Sequence, residues 1–89
     1  MKRLTIKVSG KVQGVFYRAT AREIAVQAGL TGIVRNEPDG SVYIEVEGEE
    51  GAVDDFVKWC NKGPARSQVQ TIHVEAGELK GFVGFRIVR

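Results

Sequence analysis

Residues 10–18 combine two glycines, Gly10 and Gly14, with an arginine, Arg18, in a pattern that could bind phosphate. They lie between a segment of alternating apolar residues, typical of a strand, and a segment with helical periodicity. A loop of this kind and the first turn of a helix leave several backbone N–H groups without partners, and these groups, together with the positive end of the helix dipole, favour an oxyanion. The planar guanidinium group of Arg18 also suits a phosphate. The residues therefore predict a phosphate-binding loop.

The spacing alone leaves an ordinary turn and a solvated arginine as the alternative. The loop is not a Walker loop, because it lacks Gly-Lys-Ser/Thr and has fewer residues between its glycines than that motif needs. The dinucleotide fingerprint requires a third glycine and a longer unit. These residues therefore allow a site that binds one phosphoryl group, and they do not indicate a nucleotide-binding site.

The bulk properties indicate one small domain, residues 1–89. A hydrophobic content of 43% and a charged content of 27% are typical of a soluble globule. A formal charge of +2 is too small to indicate nucleic acid by itself. The single cysteine fits a reducing compartment and gives no sign of a structural metal site. No apolar run has the length of a membrane span, and Met1 leads into a strand rather than a signal peptide. We expect a cytoplasmic protein.

Periodicity predicts the element order β-α-β-β-α-β, with room for one extra strand. The predicted strands cover 4–9, 30–36, 42–47, 69–74 with a bulge, and 82–88, and the predicted helices cover 18–29 and 49–61. Pro38-Asp39-Gly40 predicts a hairpin turn between the second and third strands. Two helices on one face of an antiparallel sheet satisfy this order, which predicts an α+β, ferredoxin-like sandwich.

Two long motifs resemble those of the acylphosphatases. Residues 10–18 are similar to the family's signature loop, and residues 32–42 are similar to its second motif. The similarity extends to Gly63-Pro64 and to Phe85-Arg86-Ile87, so it covers essentially the whole chain. The resemblance implies a small enzyme without metal or cofactor that hydrolyses the carboxyl-phosphate bond of acyl phosphates to a carboxylate and inorganic phosphate. We expect a monomer with no nucleic-acid or membrane partner, for which phosphate is both product and inhibitor.

The resemblance also implies site residues. The family's catalytic arginine falls on Arg18 and its catalytic asparagine on Asn36. Its phosphate-binding backbone falls on Gln13, Gly14, Val15, Phe16 and Tyr17. Two positions depart from the family's pattern: Ile33 stands where an aromatic residue is common, and Tyr17 stands where Phe is more frequent. Both are expected to affect packing or loop rigidity rather than the chemistry.

The chemistry of an acyl phosphate is consistent with these residues. Its leaving group is a carboxylate, so neither a nucleophilic side chain nor a strong general acid is needed. Catalysis reduces to holding the phosphoryl oxygens, balancing their charge and aiming a water in line. Arg18 and the loop amides would do the first two, and Asn36, a neutral donor and acceptor, could orient the water. Without the family resemblance, Asn36 would be interpreted as a turn residue.

Two other motifs suggest different chemistry. Cys60 and Arg66 have the Cys-x5-Arg spacing of cysteine-dependent phosphatases, but Cys60 lies on the apolar stripe of a predicted helix, which favours a buried core cysteine. Residues 80–85 resemble the RNP1 box of RNA-recognition motifs, although they lie at the C-terminus rather than on the third strand. RNA binding and a non-catalytic domain that keeps the loop as an anion site therefore remain alternative functions.

Other polar and aromatic residues are expected to have structural roles. His73 is predicted on a strand face without metal-ligand partners, and Trp59 is predicted to flank the apolar stripe of the second helix and to have a packing role. Asp54 and Asp55 point in different directions on a helix and do not form an acid/base pair. The acidic run of Glu45, Glu47, Glu49 and Glu50 is predicted to be a solvated face.

Overall fold

The computed structural model describes all residues of the chain, 1–89. Its elements are β1 (Lys2–Lys11), α1 (Tyr17–Gln27), β2 (Thr31–Asn36), β3 (Val42–Gly48), α2 (Glu50–Lys62), β4 (Gln68–Gly77) and β5 (Phe85–Ile87). The predicted order is confirmed, and β5 is the extra strand. Neither helix has the length and apolar character needed to cross a bilayer.

The five strands form one sheet in the order β4-β1-β3-β2-β5. The four longer strands pair antiparallel, with β1 and β2 on either side of β3, and this confirms the ferredoxin-like arrangement. β5 pairs parallel with β2, so the complete sheet is mixed. The register of β1 against β4 shifts between Ser9 and Gly10, which pair with Thr71 and Val69, so the predicted bulge lies at Gln70 of β4.

The core lies between the sheet and the two helices. Apolar residues of β1 alternate as predicted, and Leu4, Ile6 and Val8 pair directly with Val46, Ile44 and Val42 of β3. The side chains of Ala21 and Ala25 are fully buried on α1. Their small size lets the helix lie close against the sheet. The matching stripe on α2 consists of Val53, Phe56 and Cys60. Each large apolar side chain buried here contributes about 1.5–3 kcal/mol.

Local signals end α1 and shape the hairpin as the sequence predicted. Gly29 follows the helix in the left-handed region, at φ +73, and the next residue, Leu30, donates its N–H to the carbonyl of Ala25. In the β2–β3 turn, Asp39 accepts hydrogen bonds at Oδ1 from the backbone N–H of Ser41 (2.9 Å) and from its hydroxyl (2.6 Å). These contacts set where β2 begins and where it ends, and so they position Asn36.

The prediction of a solvated acidic run is wrong for Glu45 and Glu47, which are only 5% and 3% exposed. Glu45 forms ion pairs with Arg3 and with Lys80, the latter at 2.7 Å. Glu47 accepts hydrogen bonds from the backbone N–H groups of residues 80, 81 and 82. Segment 78–84 thus covers the outer face of β3, whereas Glu49 and Glu50 are exposed as expected.

Candidate active site

A cavity of about 300 Å³ lies where the 12–16 loop, the first turn of α1 and the ends of β2 and β5 meet. Its lining consists of Val12, Gly14, Phe16, Tyr17, Arg18, Ala19, Asn36 and Ile87. The structure therefore brings Arg18 and Asn36 to the same cavity from separate elements. Among the predicted loop residues, Gly14, Phe16 and Tyr17 line it, while Gln13 and Val15 do not.

The backbone amides beside this cavity are free. From Gly14 to Ala19, no N–H group donates to an acceptor in the protein, and the first amide of the helix that does so is that of Thr20, to the carbonyl of Phe16 (3.0 Å). The first amides of any α-helix lack intrahelical partners. No side chain caps α1, and no acidic residue lies in its first turn. The positive end of the helix dipole is therefore not compensated by the protein.

Left-handed backbone shapes the loop. Gly14 has φ +73, a conformation that glycine adopts without steric cost, and open space surrounds the position of a Cβ atom there. Phe16 has φ 64 and is the single non-glycine residue with positive φ. Holding Phe16 in this region costs about 1–3 kcal/mol. A left-handed residue joined to a helical one directs successive N–H groups toward one side, which creates an anion-binding concavity.

Arg18 is the second residue of α1, and its side chain is partly buried in the cavity wall. Its guanidinium group takes part in none of the ion pairs or side-chain hydrogen bonds of the structure. All five N–H donors of a fixed planar fork are thus available to an anion in the cavity.

Asn36 is the last residue of β2, opposite Val42 of β3. Its Oδ1 atom is buried and has no hydrogen-bond donor in the protein. Leaving a buried amide oxygen unpaired costs about 1–3 kcal/mol. Because Asn36 also lines the cavity, this oxygen is available to accept a hydrogen bond from a molecule bound there.

The side chain of Gln13 attaches the loop to the segment that follows Asn36. Its Nε2 atom donates to the carbonyl oxygens of Glu37 and Ser41, each at 2.9 Å. The sequence pointed to Gln13 only through its backbone, and this side-chain contact was missed. The acceptors are main-chain carbonyls of a turn distant in the sequence. Every residue has such a carbonyl, so the residue types gave no sign of this contact. The contact fixes the loop relative to Asn36.

Tyr17 occupies a packing position, as expected. It is 1% exposed, and its ring lies 5.2 Å from that of Trp59. Its hydroxyl group donates to the carbonyl of Cys60 at 2.7 Å. Burial raises the pKa of Tyr17 above its ordinary value, so the phenol stays neutral. The partly buried Trp59 packs on this cluster, as predicted.

The structure excludes the cysteine-phosphatase alternative. Cys60 is fully buried in α2, and neither it nor Arg66 lines the cavity. Burial raises the pKa of the Cys60 thiol to about 12, so it is not a thiolate at neutral pH. The prediction of a buried core cysteine is confirmed.

The RNP1-like stretch likewise has a structural role. The amides of residues 80–82 bind Glu47, and Phe85 is 2% exposed, with its ring 6.0 Å from that of Phe56. A ring packed in the core offers no stacking surface to a base. His73 lies exposed on β4 beside Glu75, as expected for a strand-face residue.

Ile87 is a cavity residue that sequence reasoning did not identify. It reaches the cavity because β5 runs parallel to β2, with Ile87 opposite Val34. A hydrogen bond from Arg22 Nε to the carbonyl of Phe85 (3.0 Å) attaches β5 to α1. Arg22 lies one turn beyond Arg18, so this contact holds the end of β5 beside the loop.

The family model for acylphosphatase matches residues 4–87. The chain is 48% identical over 85 residues to a protein named acylphosphatase from Rubrobacter xylanophilus, covering 91% of this chain and 77% of that relative. A crystal structure of acylphosphatase from Bacillus subtilis superposes with a TM-score of 0.97 at 38% identity, covering 100% of both chains. Full-length HypF, solved in a phosphate- and nucleotide-bound form, matches 99% of this chain with 12% of its own length, at 34% identity and a TM-score of 0.89. The chain belongs to the acylphosphatase family.

Proposed function

We propose that the cavity holds the phosphoryl group of an acyl phosphate between the loop amides and Arg18, and that Asn36 orients the attacking water. One observation carries this proposal. Two polar groups that the protein leaves without partners, the Arg18 guanidinium and Asn36 Oδ1, line the same cavity. The free amides from Gly14 to Ala19 add hydrogen-bond donors around it. Such preorganised donors are most effective where charge develops in the transition state.

The residues support an in-line displacement at phosphorus. Asn36 Oδ1 accepts a hydrogen bond from the water, whose oxygen forms a new bond to phosphorus on the side opposite the leaving carboxylate. The bond between phosphorus and the carboxylate oxygen breaks, and the carboxylate leaves with the electron pair. The water proton passes to a phosphoryl oxygen, so the products are a carboxylate and inorganic phosphate. Because a phosphoryl oxygen of the substrate takes the proton, the step needs no basic side chain, and Asn36 only orients the water.

The same arrangement supports three smaller proposals. Arg18 and the amides balance the phosphoryl charge, so the reaction uses no metal or cofactor, and EDTA should leave it unchanged. Inorganic phosphate presents the same oxygens and should inhibit competitively. Residues 1–89 supply every element of the site, so a single domain acting as a monomer suffices. Cys60 is buried and forms no disulfide, which is consistent with a cytoplasmic location.

Steady-state hydrolysis of benzoyl phosphate tests the assignment. Arg18→Ala should lower kcat/KM about a thousandfold, and Asn36→Ala should lower kcat about a hundredfold with little change in KM. Arg66→Ala and Asn61→Ala are matched controls, because both residues are exposed and neither lines the cavity. Near-normal turnover of both site variants would refute the assignment. An inert wild-type protein would instead favour a non-catalytic anion-binding domain.

A further inference from the structure

We infer that the side chains of Phe16 and Ile87 form an apolar wall for the acyl group, so that the enzyme selects bulky, uncharged acyl phosphates, aryl ones above all. This inference rests on the proposed function, because it assumes that the phosphoryl end is held by Arg18. It concerns the other end of the substrate. The side chain of Phe16, not only its backbone, then becomes a specificity-determining group.

The conformation of Phe16 is the first observation. The residue is held in the left-handed region, yet its ring is not used to fill the core, since the side chain is 74% exposed. The protein thus retains a strained backbone and an exposed aromatic ring at the same position. The ring lies at the cavity, where an aryl group could cover it.

The second observation is the placement of Ile87, which is 40% exposed and lines the same cavity. The hydrogen bond from Arg22 to Phe85 and that from the Val88 N–H to the carbonyl of Val34 (2.9 Å) hold β5 on both sides of Ile87. The wall is therefore part of the fixed sheet edge. An apolar group placed against it loses water without disturbing the fold.

The charge of the lining is the third observation. Among the eight lining residues, Arg18 is the only one with a formal charge, and Asn36 is the only other polar side chain apart from the buried hydroxyl of Tyr17. Arg18 is needed by the phosphoryl group. A second negative charge on the acyl group would meet no free cation in the lining, whereas a neutral ring would meet apolar surface.

A cavity of about 300 Å³ is also at the small end of the range for ligand pockets. It accommodates a phosphoryl group and one ring, and longer acyl chains would extend into solvent. An aryl acyl phosphate thus uses the wall fully, while acetyl phosphate leaves it uncovered.

The test compares kcat/KM for benzoyl phosphate and acetyl phosphate and takes the ratio, so that the reactivity of each substrate cancels between variants. Phe16→Asn removes the ring while keeping a residue that tolerates positive φ, and it should lower the benzoyl-to-acetyl ratio about tenfold. Ile87→Ala should lower it about threefold. Phe16→Tyr should keep the ratio of the wild type, and Val83→Ala, 90% exposed and outside the cavity, is the surface control.

A ratio that stays constant in both Phe16→Asn and Ile87→Ala, while the wild type remains active, would overturn the inference and leave the proposed function intact. A wild type that hydrolyses neither substrate would overturn both. The inhibition constants of phenylphosphonate and methylphosphonate provide an independent comparison that does not depend on turnover of the inhibitor. The preference for the phenyl compound should fall in the same two variants, and an unchanged preference would count against the wall.

Discussion

The hydroxyl group of Tyr17 donates a hydrogen bond of 2.7 Å to the main-chain carbonyl of Cys60. This contact joins the first residue of α1, beside the free amides, to the last turn of α2. Carbonyl groups in the last turn of a helix lack intrahelical donors. The phenol of Tyr17 therefore supplies a partner to a buried acceptor, and it links the site to the core.

Tyr17→Phe should lower the free energy of unfolding by about 1–2 kcal/mol, because the Cys60 carbonyl loses its donor while the ring packing is kept. Urea denaturation measures this change. Tyr43→Phe is the matched control, because the Tyr43 ring contacts Arg35 but its hydroxyl takes part in none of the side-chain hydrogen bonds. Equal unfolding midpoints for wild type and Tyr17→Phe would show that the hydrogen bond contributes nothing.

Gln13→Ala should lower kcat/KM about tenfold and the free energy of unfolding by about 1–2 kcal/mol, because two hydrogen bonds that hold the loop against the segment after Asn36 are lost. Gln13 is a positioning residue in this account. The loss should therefore appear mainly in kcat, because the bound phosphoryl group and the water at Asn36 lose their alignment.

The control for Gln13 is Gln70→Ala on the exposed face of β4. If Gln13→Ala destabilises the protein but retains full kcat, the contact is structural only, and the positioning role is refuted.

Glu47→Gln should destabilise the protein by about 2–3 kcal/mol, because an amide cannot accept three backbone N–H bonds as the buried carboxylate does. Segment 78–84 leads into β5, so protection of the β5 amides from hydrogen exchange should fall as well. Glu23→Gln, at an exposed position on α1, provides the comparison. Unaltered exchange at residues 85–87 would show that Glu47 does not hold segment 78–84 in a way that supports β5.

Glu45 should make stability depend on pH. Burial raises its pKa, but the hydrogen bonds and charges of Lys80 and Arg3 outweigh burial and hold the pKa of Glu45 below the ordinary value of 4.5. A carboxyl whose pKa is depressed by folding stabilises the folded state above its ordinary pKa, and this contribution is lost as the pH falls through the folded-state pKa. The stability advantage of wild type over Glu45→Gln should therefore shrink below pH 4.5. If the stability difference between wild type and Glu45→Gln grows as the pH falls, the pKa of Glu45 is raised by folding and not lowered.

Local patterns in the sequence were sufficient for most of the fold. Alternation of Leu4, Ile6 and Val8 predicted the buried face of β1, and Pro38-Asp39-Gly40 predicted the hairpin, because both depend on neighbours within a few residues. The boundaries of α1 were nearly right for the same reason, with Gly29 at its end.

What the sequence could not predict depends on partners far along the chain. The burial of Glu45 and Glu47 follows from Arg3 and from segment 78–84, and an alternating acidic pattern looks the same whether or not another segment covers it. The parallel pairing of β5, which brings Ile87 to the cavity, depends on segment 78–84, which connects β4 at one edge of the sheet to β5 at the other. For Asn36, the sequence fits both a turn residue and a site residue. What distinguishes the two is that Arg18, on another element, lines the same cavity.

Equilibrium binding of inorganic phosphate, followed by titration calorimetry on the wild type, Arg18→Ala and Asn36→Ala, tests the central claim most directly. If Arg18 and the loop amides hold the phosphoryl group while Asn36 acts on water, Arg18→Ala should weaken the Kd at least about thirtyfold, and Asn36→Ala should leave it within about twofold. Phosphate that binds Arg18→Ala as tightly as it binds the wild type would contradict the account.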